Sequence, residues 1–553
     1  MQYPAQLPIS AVNPVAYVCA EFGFDANLPI YAGGLGILAG DTLKEAADQH
    51  FPMVGVGLLY RGLSMKQSIT PDGEQIEEDW EFDPVAVGLE HVYLDNMPLF
   101  VKVHMTEVDV WLRVWKKTFN SEVTLYLLDS DTDQNALPER SLTQVLYSGT
   151  HELQIKQQLI LGVGSVKLLS TLGIKPSLYH CNEGRPAFAH WQLIRELMER
   201  HKVNFASAKA LARDKMVYTN HTLVAAGNMS YSMDLVRVVA RYYADKMNVG
   251  VDELVQLGIE ENRDAFSITR FALNVSRKAS GVSALHSRLS EQTWPEYRWI
   301  NVTNGVHFPT WQAPQIRALS TTSPEPQVLW DAHNQAKREL AEFCQRHTGY
   351  SYDPNRLVIS WSRRLAGYKQ AGLLFSDIAR LVRILKDVDR PVQLLIAGKA
   401  HGGDSAGKAL LKSIVGYLKN ELAGSALYLP NYNIAVAQQL VRGSDVWLNT
   451  PVLGQEACGT SGMKAASNGV VQCTVADGWA AEVDWNEIGF VLDPHQTAQH
   501  LFETLEQKIV PLYYTRTDGL PLEWIKMMQK TMQMSKNYSA ERMLKEYVEK
   551  LYG

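Results

Sequence analysis

Short apolar runs recur along the chain at intervals suited to strands alternating with helices. Val15-Ala16-Tyr17-Val18-Cys19-Ala20 reads as a buried strand, and after Glu21 a loop leads into Tyr31-Ala32-Gly33-Gly34-Leu35-Gly36-Ile37-Leu38-Ala39-Gly40-Asp41. The order is strand, glycine turn, helix. Between about residue 52 and residue 130 apolar and polar positions alternate, as in Leu99-Phe100-Val101-Lys102-Val103-His104 and Val108-Asp109-Val110-Trp111-Leu112-Arg113-Val114-Trp115. Period two predicts antiparallel strands, a β-rich insertion on the first domain. From Leu153 the pattern becomes helical up to a turn at Gly173. Strand-to-helix units then recur, at Ser177-Leu178-Tyr179-His180-Cys181-Asn182-Glu183-Gly184-Arg185-Pro186 and at Lys215-Met216-Val217-Tyr218-Thr219-Asn220-His221-Thr222. Another strand, Arg298-Trp299-Ile300-Asn301-Val302, ends in the turn Thr303-Asn304-Gly305.

Pro, Ser and Thr from Pro309 to Pro326 mark a domain boundary near residue 320, dividing the chain into 1–320 and 321–553. Beyond it, apolar strands at Leu357–Trp361, Val392–Ala397, Ala426–Leu429 and Val446–Asn449 alternate with helices, which predicts a doubly wound parallel sheet. Leu544, Tyr547, Val548 and Leu551 give the final helix one apolar face, able to pack back on the N-terminal domain.

Composition narrows the class. With 553 residues, 46% hydrophobic and 20% charged, the chain is too long for one core and has the balance of a globular enzyme. A net charge of −6 leaves no basic surface to suggest nucleic acid or an anionic membrane, so any basic site is local. Five scattered cysteines without CxxC or Cys/His spacing predict neither disulfides nor a zinc site. Met1-Gln2-Tyr3-Pro4-Ala5-Gln6 lacks the basic start and apolar core of a signal peptide, and no apolar run reaches spanning length. The expected location is a reducing cytoplasm.

The densest chemistry lies in Glu456-Ala457-Cys458-Gly459-Thr460-Ser461-Gly462-Met463-Lys464-Ala465-Ala466-Ser467-Asn468-Gly469, a strand-to-helix turn. Thr460 or Ser461 is placed to cap a helix whose first turns carry Lys464, and free N–H groups there favour a phosphate. The same positive helix end disfavours an ammonium, making Lys464 a candidate for a lowered pKa and for imine chemistry with a carbonyl compound. Arg363, Arg364 and Lys369 follow a buried strand and form a second anion-binding candidate, a fork and a point charge. The Gly33-Gly34-Leu35-Gly36 turn is a third, spaced GGxG rather than the dinucleotide GxGxxG. Plain capping, a solvated basic face and a tight turn are the competing readings. Three such elements suit two bound phosphates.

These residues resemble the α-glucan (glycogen, starch or maltodextrin) phosphorylases, as a short bacterial-type member. Glu456 to Lys464 looks like that family's pyridoxal-phosphate signature. The GGLG loop at Gly33–Gly36, the TNHT segment Thr219–Thr222, the TNG turn Thr303–Gly305 and the R-x-x-x-Y-K element Arg364–Lys369 accompany it in the family's order. The resemblance implies an α/β chain of two facing Rossmann-like domains, the GT-B type, with an interdomain cleft. It implies retaining transfer of the non-reducing-end glucosyl unit of an α-1,4-glucan or maltodextrin to inorganic phosphate, giving glucose 1-phosphate. Pyridoxal 5'-phosphate would sit on Lys464 as a Schiff base, its phosphate surrounded by Gly33, Gly34, Thr460, Ser461 and Arg363, with Tyr432 beside it. Arg364 and Lys369 would hold the substrate phosphate. Asn304, Glu456, Cys458, Gly459 and the His221 backbone carbonyl would line the glucose site. The glycosidase pair of carboxylates is then not needed, because substrate phosphate protonates the leaving oxygen.

Three departures stand out. Cys458 replaces the family's usual serine, Arg185 follows Asn182-Glu183-Gly184 where longer members have histidine, and the chain is short enough that little allostery is expected. A homodimer remains among the open assemblies. A nucleotide-sugar-dependent synthase would share the fold and basic pair but would not need Lys464. A non-catalytic glucan-binding protein should have lost Lys464, Arg364 or Lys369, and an aminotransferase-type enzyme needs only one phosphate site.

Overall fold

The computed structural model describes residues 8–62, 66–78, 81–147, 149–223, 228–260, 264–319 and 324–553. The chain divides into two compact units. The first draws its described residues from Met1–Ser64, Asp79–Val302 and Leu544–Gly553, the second from Met65–Glu78 and Thr303–Met543.

The first unit is built on one sheet. Its strands in chain order are β1 (Val15–Cys19), β2 (Met53–Leu58), β3 (Glu90–His91), β4 (Phe100–Met105), β5 (Val108–Thr118), β6 (Val123–Asp129), β7 (Leu178–Asn182), β8 (Met216–Thr219), β9 (Lys278–Gly281) and β10 (Trp299–Asn301). Spatially they run β10-β9-β8-β7-β1-β2-β6-β5-β3, with β4 paired to β5. From β10 to β6 every pairing is parallel, Val15 facing Leu178 on one side and Met53 on the other. Every residue of β1 and β7 is buried, as strands covered on both faces require. The alternating segments pair antiparallel onto β6. They widen the same sheet instead of forming a separate insertion, and β2 and β6 belong to its parallel core.

Helix α1 (Gly34–Asp48) follows β1, and α2 (His151–Thr171) starts where the Thr150 hydroxyl accepts the Leu153 N–H at 3.3 Å. The C-terminal turn Tyr547–Tyr552 belongs to this unit. The Tyr552 hydroxyl meets His180 Nδ1 at 3.0 Å, and Arg277 and Lys278 donate to the carbonyls of Tyr552 and Gly553 at 2.6 and 2.7 Å.

The second unit carries β11 (Leu357–Ser362), β12 (Val392–Ala397), β13 (Ala426–Leu429), β14 (Val446–Asn449), β15 (Val471–Val475) and β16 (Gly489–Leu492). All pairings are parallel, in the order β13-β12-β11-β14-β15-β16. Sequence order therefore reverses between β11 and β14, the switch point where open α/β sheets place ligands beyond the strand C-termini. Helix α3 (Pro326–Thr348) is pinned at the opposite, N-terminal end of β14 by a buried Asp445, which faces His333 Nε2 at 2.8 Å and Lys337 Nζ at 2.7 Å.

The division falls between Val302 and Thr303, upstream of the Pro-rich segment. Ala313 and Ile316 of that segment are buried in the second core, Trp311 is buried as well, and the segment's prolines open the short helices Phe308–Trp311 and Pro314–Arg317. Residues 320–323 lie outside the described residues, as does Met1–Gln6. The hairpin Lys66–Ile69 with Gln75–Glu78 also belongs to the second unit, where Gln67 donates to the Gly398 carbonyl at 3.1 Å and Lys412 pairs with Glu74 at 2.8 Å. Among the described residues no helix is long and apolar enough to cross a membrane.

Candidate active site

The loop after β11 carries Arg363, Arg364 and Lys369, and the loop after β14 leads to Glu456. The two are tied together: Val452 N–H donates to the Tyr368 carbonyl at 2.8 Å and the Thr450 hydroxyl to the Lys369 carbonyl at 3.3 Å. Asp477, just past β15, accepts the N–H groups of Gly454 and Glu456 at 2.9 and 3.0 Å and so sets where the Glu456 side chain starts. That carboxylate is buried and receives Lys369 Nζ, with Arg363 Nη1 at 3.3 Å on the same oxygen. Burial pushes its pKa up, yet Lys369 and Arg363 outweigh burial and hold it below the usual carboxylate range. Arg364 stays exposed, its charge also acting on Glu456.

Helix α4 (Thr460–Ala466) is entered through Gly459, whose φ of 85° is a left-handed conformation that favours glycine. No side chain caps it. The expected capping pair thus lies one and two residues inside the helix, because the chain turns at Gly459. Ser461 Oγ instead accepts from Arg363 Nη2 at 3.1 Å and Trp447 Nε1 at 3.3 Å. Arg363 Nε is buried without a hydrogen-bond partner among the described residues, and Tyr432 lies near Arg363, burial raising its phenol pKa and so keeping it neutral.

Lys464 is buried on this helix, its Nζ 3.9 Å from the Trp311 ring centroid. Asn468 fixes that geometry, donating to the Lys464 carbonyl at 2.9 Å and the Trp311 carbonyl at 3.1 Å while accepting the Ala313 N–H at 2.7 Å. Cys458 is buried, which pushes its thiol pKa up, and the Asn304 N–H is directed at its sulfur. The Asn304 side-chain oxygen is buried and lacks a partner.

Gly33, Gly34 and His221 belong to the first unit. A Cβ at Gly33 or Gly34 would meet nothing within 4 Å, so a ligand group has room beside them. The Gly33 N–H is already taken, however: with Ala32 N–H it donates to Glu21 at 3.1 and 2.7 Å, while α1 starts without a side-chain cap. At the ends of β7 and β8 the His221 N–H donates to Glu183 at 2.8 Å and its Nε2 faces the Asn182 side-chain oxygen at 2.5 Å. Burial lowers the His221 pKa to about 3, so the ring is neutral and carries its proton on Nε2. Glu183, at φ 73°, is pushed up to about 7 by burial. Arg185 lies over the Tyr147 ring at 4.5 Å and donates to Met229 Sδ at 3.2 Å.

Structure therefore brings Lys464, Arg363, Lys369, Glu456, Ser461, Thr460, Gly459, Cys458, Asn304 and Tyr432 into one unit. Asp477, Trp311, Glu482 and Arg542 are added by the fold. Of these only Asp477 had a local signal, an Asp-Gly turn directly after a strand.

The sequence profile of the family described as Phosphorylase, Carbohydrate phosphorylase, matches residues 96–323 and 310–489. A maltodextrin phosphorylase of Thermococcus litoralis is 35% identical, across 98% of this chain and 70% of its own length. A glycogen phosphorylase of Aquifex aeolicus is 32% identical across 98% of this chain and 86% of its own, and one of Mycobacterium tuberculosis is 34% identical across 98% and 70%.

Proposed function

The chain belongs to the carbohydrate phosphorylase family, and from that premise we propose that it is an α-1,4-glucan phosphorylase, releasing the non-reducing-end glucosyl unit to inorganic phosphate as glucose 1-phosphate with retained configuration. On family membership we assign its units to the GT-B class, in which two Rossmann-like domains face one another. The observation that carries the reading is the pairing, at one switch point, of a buried lysine on an uncapped helix turn with a separate buried cation cluster.

The donor set of the second unit fits pyridoxal 5'-phosphate: Lys464 for the carbonyl carbon, and Ser461, Thr460, the buried Arg363 Nε and Tyr432 for its polar groups. When bound it supplies a phosphate whose second pKa of about 6 lets it exchange a proton near neutrality.

The remaining chemistry falls to the chain. Lys369 and exposed Arg364 bind the attacking phosphate, offsetting the repulsion of crowded phosphates through charge-assisted hydrogen bonds. Glu456 must release Lys369 and Arg363 when that anion arrives, and its freed carboxylate then orients the sugar hydroxyls. Asn304, Cys458 and Gly459 complete the glucose site of this unit. In the first unit the neutral His221 ring is held by Asn182 and so keeps its own backbone carbonyl fixed.

The deciding experiment reconstitutes the protein with pyridoxal 5'-phosphate, reduces it with borohydride and maps the pyridoxyl peptide. The label should fall on Lys464, and Lys464→Ala should abolish phosphate-dependent release of glucose 1-phosphate from maltodextrin with the fold retained. A label elsewhere, or full activity in that variant, refutes the assignment.

A further inference from the structure

The turn Thr303-Asn304-Gly305 is held from three sides. Arg542, in the helix Ala540–Glu546, donates Nη1 to the Thr303 carbonyl at 2.6 Å and Nη2 to the Asn304 carbonyl at 2.9 Å. The Thr303 hydroxyl donates to both carboxylate oxygens of Glu482, at 3.0 and 2.9 Å. Val306 exchanges backbone bonds with Tyr538 and Ala540 at 3.0 and 2.9 Å, which brings the Ser539 carbonyl so close that a Cβ at Gly305 would collide with it.

Little of this grip is needed merely to close a turn. A backbone pair of hydrogen bonds already anchors Val306, and a guanidinium fork clamping two successive carbonyls fixes the peptide planes on both sides of the Asn304 Cα. Its side-chain oxygen, on a residue 95% buried, has no hydrogen-bond partner among the described residues. The Asn304 N–H is held toward Cys458. A buried amide oxygen left unsatisfied is costly, and a ligand hydroxyl donating to it would recover that cost.

We propose that Arg542, seconded by Glu482 through Thr303, is a positioning residue that aims the Asn304 carboxamide at a hydroxyl of the transferred glucosyl unit. The proposal rests on the phosphorylase reading. Arg542 does not touch the sugar. Its effect passes through Asn304, and its value lies in holding a hydrogen-bond acceptor within a few tenths of an ångström of where the transition state needs it.

The test is a double-mutant cycle on the cofactor-loaded enzyme, with glucose 1-phosphate release from maltodextrin as the readout. Arg542→Ala should lower kcat/KM for glucan about 30-fold with the KM for phosphate and the cofactor content unchanged, yet cost less than about 3-fold when Asn304 is already Ala. Arg542→Lys, which keeps the charge but not the planar fork, should fall between, and Thr303→Val should show a smaller loss that also vanishes in the Asn304→Ala background. These last two supply the answer if Arg542→Ala does not fold. Losses that multiply in the double variants, or an Arg542→Ala enzyme of full activity, overturn the proposal. A wild-type protein that releases no glucose 1-phosphate overturns instead the reading on which it rests.

Discussion

Replacing Glu456 by Gln isolates the charge that the structure places on the cation cluster. One carboxylate oxygen is shared by Lys369 and by Arg363 at 3.3 Å, all three side chains being buried or nearly so. At an effective dielectric of about 20, a single pair at that separation attracts by roughly 5 kcal/mol before the cost of desolvation is subtracted. Removing one member of a buried pair typically costs about 3–5 kcal/mol, because the surviving charge is stranded. At about 2–4 °C per kcal/mol for a domain of this size, Glu456→Gln should lower the unfolding midpoint of the second unit by about 6–20 °C without phosphate. Phosphate should then restore most of it. A ligand at a hundred times its Kd contributes about 2.7 kcal/mol, and the variant need not break a pre-existing pair to accept the anion, so its phosphate Kd should be at least about tenfold tighter than wild type. Scanning calorimetry against phosphate concentration reads both numbers. Because Glu456 titrates below its usual range, its contribution is complete above about pH 4.3 and is lost as pH falls further, so the gap between the proteins should close in acid. A variant as stable as wild type, stabilised by phosphate to the same degree, would show that Glu456 does not hold the anion site.

Arg364 is exposed and anchors nothing in the fold, so Arg364→Ala should raise the KM for phosphate about tenfold while leaving the thermal midpoint unchanged. Burial lowers His180, His190 and His221 to about 3, so below about pH 6.5 the unfolded chain takes up protons that the folded first unit refuses. Each should remove up to about 1.4 kcal/mol per pH unit, giving a urea midpoint that falls steeply from pH 7 to 5, and less steeply in His190→Gln. Glu183 acts in the opposite sense. Its folded form keeps the proton to about 7, so it erodes stability as pH rises from about 4.3 to 7, and Glu183→Gln should flatten that part of the profile.

The parallel strands could be read from the sequence because strands covered on both faces are predominantly apolar, as Val15–Cys19 is and as Leu357–Trp361 is but for Ser360. Their order could not, since it depends on pairings such as Ile359 with Val446 that no local pattern encodes. Composition misplaced the division near residue 320 for a similar reason. Pro314 and Pro326 signal only that a helix may not continue through them, and here each opens one.

The site divides along the same line. Arg363 and Lys369 were visible because they follow an apolar strand closely, and Lys464 because it lies on a helix reached from another strand through a glycine turn, both beyond strand ends of the kind where open sheets place ligands. Which charges face one another was not. By the family resemblance Glu456 is expected to be a sugar ligand, whereas its carboxylate sits on Lys369 and Arg363. Both roles follow if the two cations exchange one anion for another. A buried pair of cations is tolerable only when neutralised, so the resting site needs an internal carboxylate, and the residue that serves must be one that the arriving phosphate frees beside the sugar. Glu456 meets that condition because Asp477 holds its backbone and leaves only its side chain to move.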